Sequence, residues 1–202
     1  MTKIKLCGLS RPCDIEAANG LKPGYIGFVF APKSKRFVKP ETARELKQML
    51  RPEIQAVGVF VNARPEEIAD LLNKGVIDLA QLHGSEDEAY IGCLRQLTDR
   101  PIIRAFRIAE AGDIEQAEQC TADYIMLDSG AGTGTVFDWN LIKNMKRPYF
   151  LAGGLSPENV SEAVKMLHPF AVDVSSGIET DGAKDKAKMT AFVAAVREVN
   201  QR

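Results

Sequence analysis

Cys7 and Asp128 each close a short apolar stretch, in Lys3-Ile4-Lys5-Leu6-Cys7-Gly8 and Tyr124-Ile125-Met126-Leu127-Asp128-Ser129, and each is followed by a small residue that opens a loop. In α/β folds the carboxyl ends of parallel strands carry the ligands, so a thiol and a carboxylate at two such ends are a candidate base and acid. Glycine-rich segments follow later strands: Gly130-Ala131-Gly132-Thr133-Gly134, Gly153-Gly154 and Ser175-Ser176-Gly177. Backbone N–H groups approach an anion closely only where side chains are small, so Gly153, Gly154, Ser176 and Gly177 suit a phosphate. The run at Gly130 precedes no long helix and reads as a mobile loop beside Asp128. The segment 31–39 carries Lys33, Lys35, Arg36 and Lys39. Arg36 can grip a planar carboxylate through two parallel hydrogen bonds, which a lysine cannot reproduce. Together these groups predict a small phosphorylated substrate that also carries a carboxylate.

Positioning them takes a repeated unit. Short β-rich runs at 4–7, 25–30, 55–61, 79–82, 102–106, 124–127, 149–152 and 171–174 alternate with helical patterns at 11–19, 40–50, 65–73, 86–97, 113–118, 138–145, 157–167 and 184–199. Pro12, Pro40, Pro65 and Pro157 fall near first-turn positions, and Ser85 precedes acidic residues, both helix-start signals. A strand–loop–helix unit of roughly 25 residues repeated through the chain predicts a (β/α)8 TIM barrel, closed and parallel, formed as one domain over residues 1–202. In such a barrel, alternation along the first strand sends Ile4 and Leu6 toward the helices and Lys3, Lys5 and Cys7 inward. Lys5 then sits beneath Cys7, where its ammonium would lower the thiol pKa, unless an acid from another strand takes it as barrel filling. His83, ending the fourth strand in Gln81-Leu82-His83-Gly84, faces the same mouth. His168 falls on the far side and receives no role.

Composition narrows the partners. With 202 residues, 45% apolar, and a net charge of -1, the chain can bury one substantial core and has no general attraction for nucleic acid or an anionic membrane. Its apolar runs fall short of the roughly 18 residues of a membrane span, so a cytoplasmic protein is expected. Cys7, Cys13, Cys93 and Cys120 form no C-x-x-C pair and no metal-ligand spacing with His83 or His168, so neither structural zinc nor disulfides are expected. A small barrel with mixed surface charge suits a monomer.

Six motifs in order, Lys5-Leu6-Cys7-Gly8, Pro32-Lys33-Ser34-Lys35-Arg36-Phe37-Val38, Gln81-Leu82-His83-Gly84, Leu127-Asp128-Ser129 with Phe137-Asp138-Trp139, Ala152-Gly153-Gly154-Leu155 and Asp173-Val174-Ser175-Ser176-Gly177-Ile178-Glu179, span essentially the whole chain. On these residues the chain resembles the phosphoribosylanthranilate isomerases of tryptophan biosynthesis. Ala131 stands where that family commonly has the first glycine of its sixth loop. The resemblance implies an Amadori rearrangement of phosphoribosylanthranilate to carboxyphenylamino-deoxyribulose phosphate, with no metal or organic cofactor. It implies Asp128 as acid, Cys7 as base, Arg36 on the anthranilate carboxylate, and Gly153, Gly154, Ser176 and Gly177 on the phosphate. Asp173 and His83 would orient the substrate. Two other readings share part of the pattern. The histidine-pathway aminoaldose isomerases use two phosphate sites and two carboxylates, and a non-catalytic phosphoribosyl-binding barrel needs no acid and base pair.

Overall fold

The computed structural model describes residues 1–128, 139–142 and 145–201. Eight parallel strands, β1 (Lys3–Cys7), β2 (Tyr25–Val29), β3 (Gln55–Phe60), β4 (Leu79–Leu82), β5 (Ile102–Arg107), β6 (Tyr124–Asp128), β7 (Tyr149–Leu151) and β8 (Ala171–Val174), pair in sequence order and close β8 onto β1. The expected barrel is present, with strand ends within one residue of the sequence reading. Helices α1 (Pro12–Leu21), α2 (Pro40–Met49), α3 (Pro65–Asn73), α4 (Glu88–Arg95), α5 (Ala111–Gln119), α6 (Val160–Leu167) and α7 (Lys186–Asn200) complete the layer outside it.

Helix starts follow local chemistry. Pro12, Pro40 and Pro65 open their helices, where a missing N–H costs nothing. Pro157 does not, because residues 157–159 form a turn and α6 begins at Val160. The cap of α4 is Asp87, whose carboxylate accepts the Tyr90 N–H at 2.9 Å, and not the expected Ser85. Of the helix expected at 138–145, residues 138, 143 and 144 lie outside the described residues. Its described part, Trp139–Ile142, is a single 3-10 turn. A two-stranded hairpin, β9 (Glu179–Thr180) with β10 (Ala183–Lys184), was not legible as a strand pair and fills the connection between β8 and α7.

Two apolar layers result from the alternation of side chains. Ile4, Leu6, Ile26, Phe28, Leu82, Leu127 and Val172 pack outward with the helices. Tyr25, Val57, Leu79, Ile103, Met126 and Phe150 fill the barrel inward, and Tyr25, Tyr124, Phe150 and Phe170 close its amino-terminal end with ring contacts of 5.3–5.8 Å. Lys3 lies over the Phe170 ring there, 4.8 Å from its centroid. With that end plugged by rings, the carboxyl ends of the strands are where polar groups converge.

Candidate active site

Each inward polar side chain is set by its strand register. Lys5 and Asp173 are register partners on β1 and β8, and their side chains meet at 2.7 Å. Lys5 is fully buried. Burial works against its charge, but Asp173 and Cys7 more than offset it and the net push on its pKa is upward. The alternative foreseen for Lys5, pairing with an acid from another strand, is therefore what occurs.

Cys7 lies one inward position above Lys5, packed with Val29 and Val59. Burial pushes its thiol up, Lys5 pulls it down, Asp173 adds to the rise and Lys184 opposes it, and the balance is upward. This corrects the expectation of a lowered thiol pKa. Desolvation disfavours the thiolate more than an ammonium already shared with Asp173 can restore. Gly27 of β2 gives the sulfur its room, since a Cβ there would lie 2.7 Å from Sγ.

Across the mouth, Asp128 ends β6 and meets His83, whose Nε2 lies 3.1 Å from Asp128 Oδ2. The loop that presents His83 is fixed by Glu86, which accepts the N–H groups of Gly84 at 2.7 Å and Asn62 at 2.6 Å. The glycine run at 130–134 lies outside the described residues.

Cys7, Arg36, His83, Asp128, Gly153, Gly154, Asp173 and Ser176 all line one cavity of about 290 Å³. Gly177 stands behind it, so close to the β7 loop that a Cβ would fall 2.1 Å from the Leu155 carbonyl oxygen. Gly153 and Gly154 take φ values of 89° and 64°, which other residues rarely adopt. Ser176 begins a short 3-10 turn, Ser176–Ile178. A larger depression of about 830 Å³ lies at the opposite end, beside Met1, Lys146, His168 and Phe170. It holds none of the strand-end groups, so the smaller cavity is the candidate site.

Arg36 is already held. Its Nε and Nη2 donate to Glu179 at 2.5 and 2.9 Å, leaving the other edge of the guanidinium for a ligand. Glu179 also accepts from Lys184 Nζ at 2.7 Å, and Lys184 in turn donates to the Ser175 carbonyl at 2.9 Å. Burial opposes the charge on Glu179, but Arg36 and Lys184 outweigh it and bring its pKa down to about 2. Neither Glu179 nor Lys184 was foreseen as a site residue. Glu179 is 143 positions from Arg36 and only the closed barrel joins them. Gln81, also missed, lines the cavity two residues before His83, and the period of two along β4 could have revealed it. Among the described residues no cluster of His, Cys, Asp or Glu converges as a metal site.

The thiol, carboxyl, guanidinium and small-residue loops face one volume that can take an anionic sugar. A family described as N-(5'phosphoribosyl)anthranilate (PRA) isomerase matches residues 4–195. An N-(5'-phosphoribosyl)anthranilate isomerase of Endomicrobium trichonymphae is 43% identical over 98% of this chain and 100% of its own. The phosphoribosyl anthranilate isomerase structure from Thermotoga maritima superposes with a TM-score of 0.90 at 36% identity, covering 98% of this chain and 100% of that one. A further phosphoribosyl anthranilate isomerase structure, solved with reduced 1-(o-carboxyphenylamino)-1-deoxyribulose 5-phosphate, gives a TM-score of 0.88 at 36% identity over 98% and 100% of the two chains. The chain belongs to the phosphoribosylanthranilate isomerase family, the aldose–ketose isomerases of tryptophan biosynthesis.

Proposed function

We propose that Cys7 is the base and Asp128 the acid in the rearrangement of phosphoribosylanthranilate to carboxyphenylamino-deoxyribulose phosphate. The observation that carries this reading is the single cavity lined by both groups together with Arg36, Gly153, Gly154 and Ser176. Asp128 gives a proton to the furanose ring oxygen, the carbon–oxygen bond breaks, and the aldose opens to a Schiff base. Cys7 as thiolate takes the proton from the adjacent carbon, leaving an enolamine that tautomerises to the ketone. Each such group contributes about 10² to 10⁴ in rate.

Arg36 takes the anthranilate carboxylate on the guanidinium edge that Glu179 leaves open. The loops after β7 and β8, through Gly153, Gly154, Ser176 and Gly177, take the phosphate, and Asp173 and His83 orient the sugar. The Arg36–Glu179 geometry and the close approach of Gly177 to Leu155 support this division. No described helix is long and apolar enough to cross a membrane, and all four cysteines are free. These facts support a cytoplasmic enzyme in a reducing compartment. The mixed charges and scattered exposed apolar side chains support a single-domain monomer, which light scattering tests.

The activity test follows consumption of the fluorescent anthranilate substrate. Cys7→Ala and Asp128→Asn are each expected to lower kcat by about 100-fold or more. Rates within about threefold of the parent would remove both assignments.

A further inference from the structure

Gln81 is 1% exposed, on the inward face of β4 two residues below His83. Its Nε2 lies 2.7 Å from His83 Nδ1 and 3.2 Å from the Met126 sulfur on β6. Between these strands β5 contributes Ala105, an inward residue small enough to let β4 and β6 side chains meet. Among the described residues the Gln81 Oε1 is buried without a hydrogen-bond partner. This orientation of the amide is chemically determined. Both N–H groups face acceptors, an imidazole nitrogen and a thioether, and one carbonyl goes unpaired. Turned over, the amide would accept from an Nδ1–H imidazole, but it would set the same oxygen against the sulfur and bury two N–H donors without acceptors, which costs more. A donor at Nδ1 leaves that nitrogen unprotonated, so the imidazole carries its hydrogen on Nε2, facing Asp128 Oδ2.

We propose that Gln81 is a positioning residue that fixes His83 as the Nε2–H tautomer and thereby turns a hydrogen-bond donor toward Asp128. A His83 protonated at Nδ1 would instead turn a bare nitrogen toward Asp128 and draw the acid's proton to Oδ2, into the imidazole and away from the substrate. The catalytic consequence rests on the assignment of Asp128 as the acid, whereas the tautomer itself does not.

The test reads the two separately. The chain has two histidines, so ¹⁵N NMR of the whole enzyme, with His168→Gln for assignment, isolates the His83 ring signals. The wild type is expected to show a pyridine-type Nδ1 and a protonated Nε2. Gln81→Glu, of the same shape but accepting at Nδ1, is expected to lose the pyridine-type Nδ1 signal and to lower kcat about 10- to 100-fold with KM within about threefold. That is less than the ~10⁴ incurred where a mis-set imidazole moves the proton itself. Gln81→Met, which keeps the volume without the amide, is expected to mix the tautomers and to lose less kcat than Gln81→Glu. A wild-type His83 protonated at Nδ1 would overturn the proposal without any variant. So would a switched tautomer in Gln81→Glu with kcat within about threefold of the parent. Failure of the acid assignment shows elsewhere, as full activity of Asp128→Asn.

Discussion

Lys5 and Asp173 form a buried ion pair at 2.7 Å across the seam where β8 closes on β1, immediately beneath Cys7. The pair leaves an ammonium near the thiol while cancelling part of its field, which is why burial prevails and the thiol rises. Lys5→Met removes the largest downward influence on Cys7, so the thiol should rise further. The ultraviolet thiolate absorbance, taken as a difference against Cys7→Ala, should appear at higher pH in the variant. The rising limb of kcat/KM against pH should move the same way. An unmoved titration would take Lys5 out of the catalytic argument. Stability should fall too, by about 3–5 kcal/mol, because Asp173 is left as a buried carboxylate without its cation.

Glu179 provides a separate pH dependence. Its pKa is held at about 2 against an ordinary 4.5, so the folded state binds the proton less readily than the unfolded chain. Its stabilisation is complete above the unfolded value and disappears as pH falls from 4.5 through about 2. The size is on the order of 2 kcal/mol after allowing for solvent around Arg36 and Lys35. Urea unfolding across that window should show a slope in the parent that Glu179→Gln flattens. The same variant releases Arg36 from its two-point anchor, and KM should rise more than kcat falls. A parent-like KM would mean that Arg36 holds its position without Glu179.

Local chemistry made the fold legible and long-range pairing hid part of the site. Period-two alternation placed Lys5 and Cys7 inside β1, and the structure agrees because Leu6 packs with the helices and Cys7 with Val29 and Val59. Helix starts were readable where proline occupies the first turn and misread at Pro157, where a turn intervenes before Val160. The anchor on Arg36 could not be read, because opposite charges far apart in sequence become partners only when the loops after β2 and β8 share a mouth. The direction of the Cys7 shift was misjudged for a related reason. Proximity to Lys5 follows from sequence, but the depth of burial and the competing Asp173 belong to the closed barrel.

Gly27 tests how tightly the proposed base, Cys7, is placed. An alanine there would set its Cβ 2.7 Å from Cys7 Sγ and 3.2 Å from Cys7 Cα, inside van der Waals contact with a strand that cannot retreat. The thiol should be displaced toward the mouth, and misplacement by about 1 Å can cost on the order of 100-fold. Gly27→Ala is therefore expected to lose at least about tenfold in kcat. Inhibition by inorganic phosphate, which on the proposed assignment reads the loops after β7 and β8, should stay unchanged.

Gly177 offers the converse experiment on the proposed phosphate loops. A Cβ at this position would fall 2.1 Å from the Leu155 carbonyl oxygen and 3.0 Å from Ser156 Cα, both backbone atoms of the β7 loop. Backbone cannot rotate aside as a side chain can, so the loops after β7 and β8 must separate. Gly177→Ala should weaken inorganic phosphate and raise KM by about tenfold, equivalent to about 1.4 kcal/mol, with a smaller effect on kcat. Gly75→Ala is the matched control. Gly75 has φ of 68° but nothing within 4 Å of an added Cβ, so its substitution carries backbone strain alone. It should destabilise the fold by about 1 kcal/mol and leave KM at the parent value. If Gly177→Ala lowered stability just as Gly75→Ala does, with phosphate binding intact, the two late loops would be scaffold and the anion would have to bind elsewhere in the mouth.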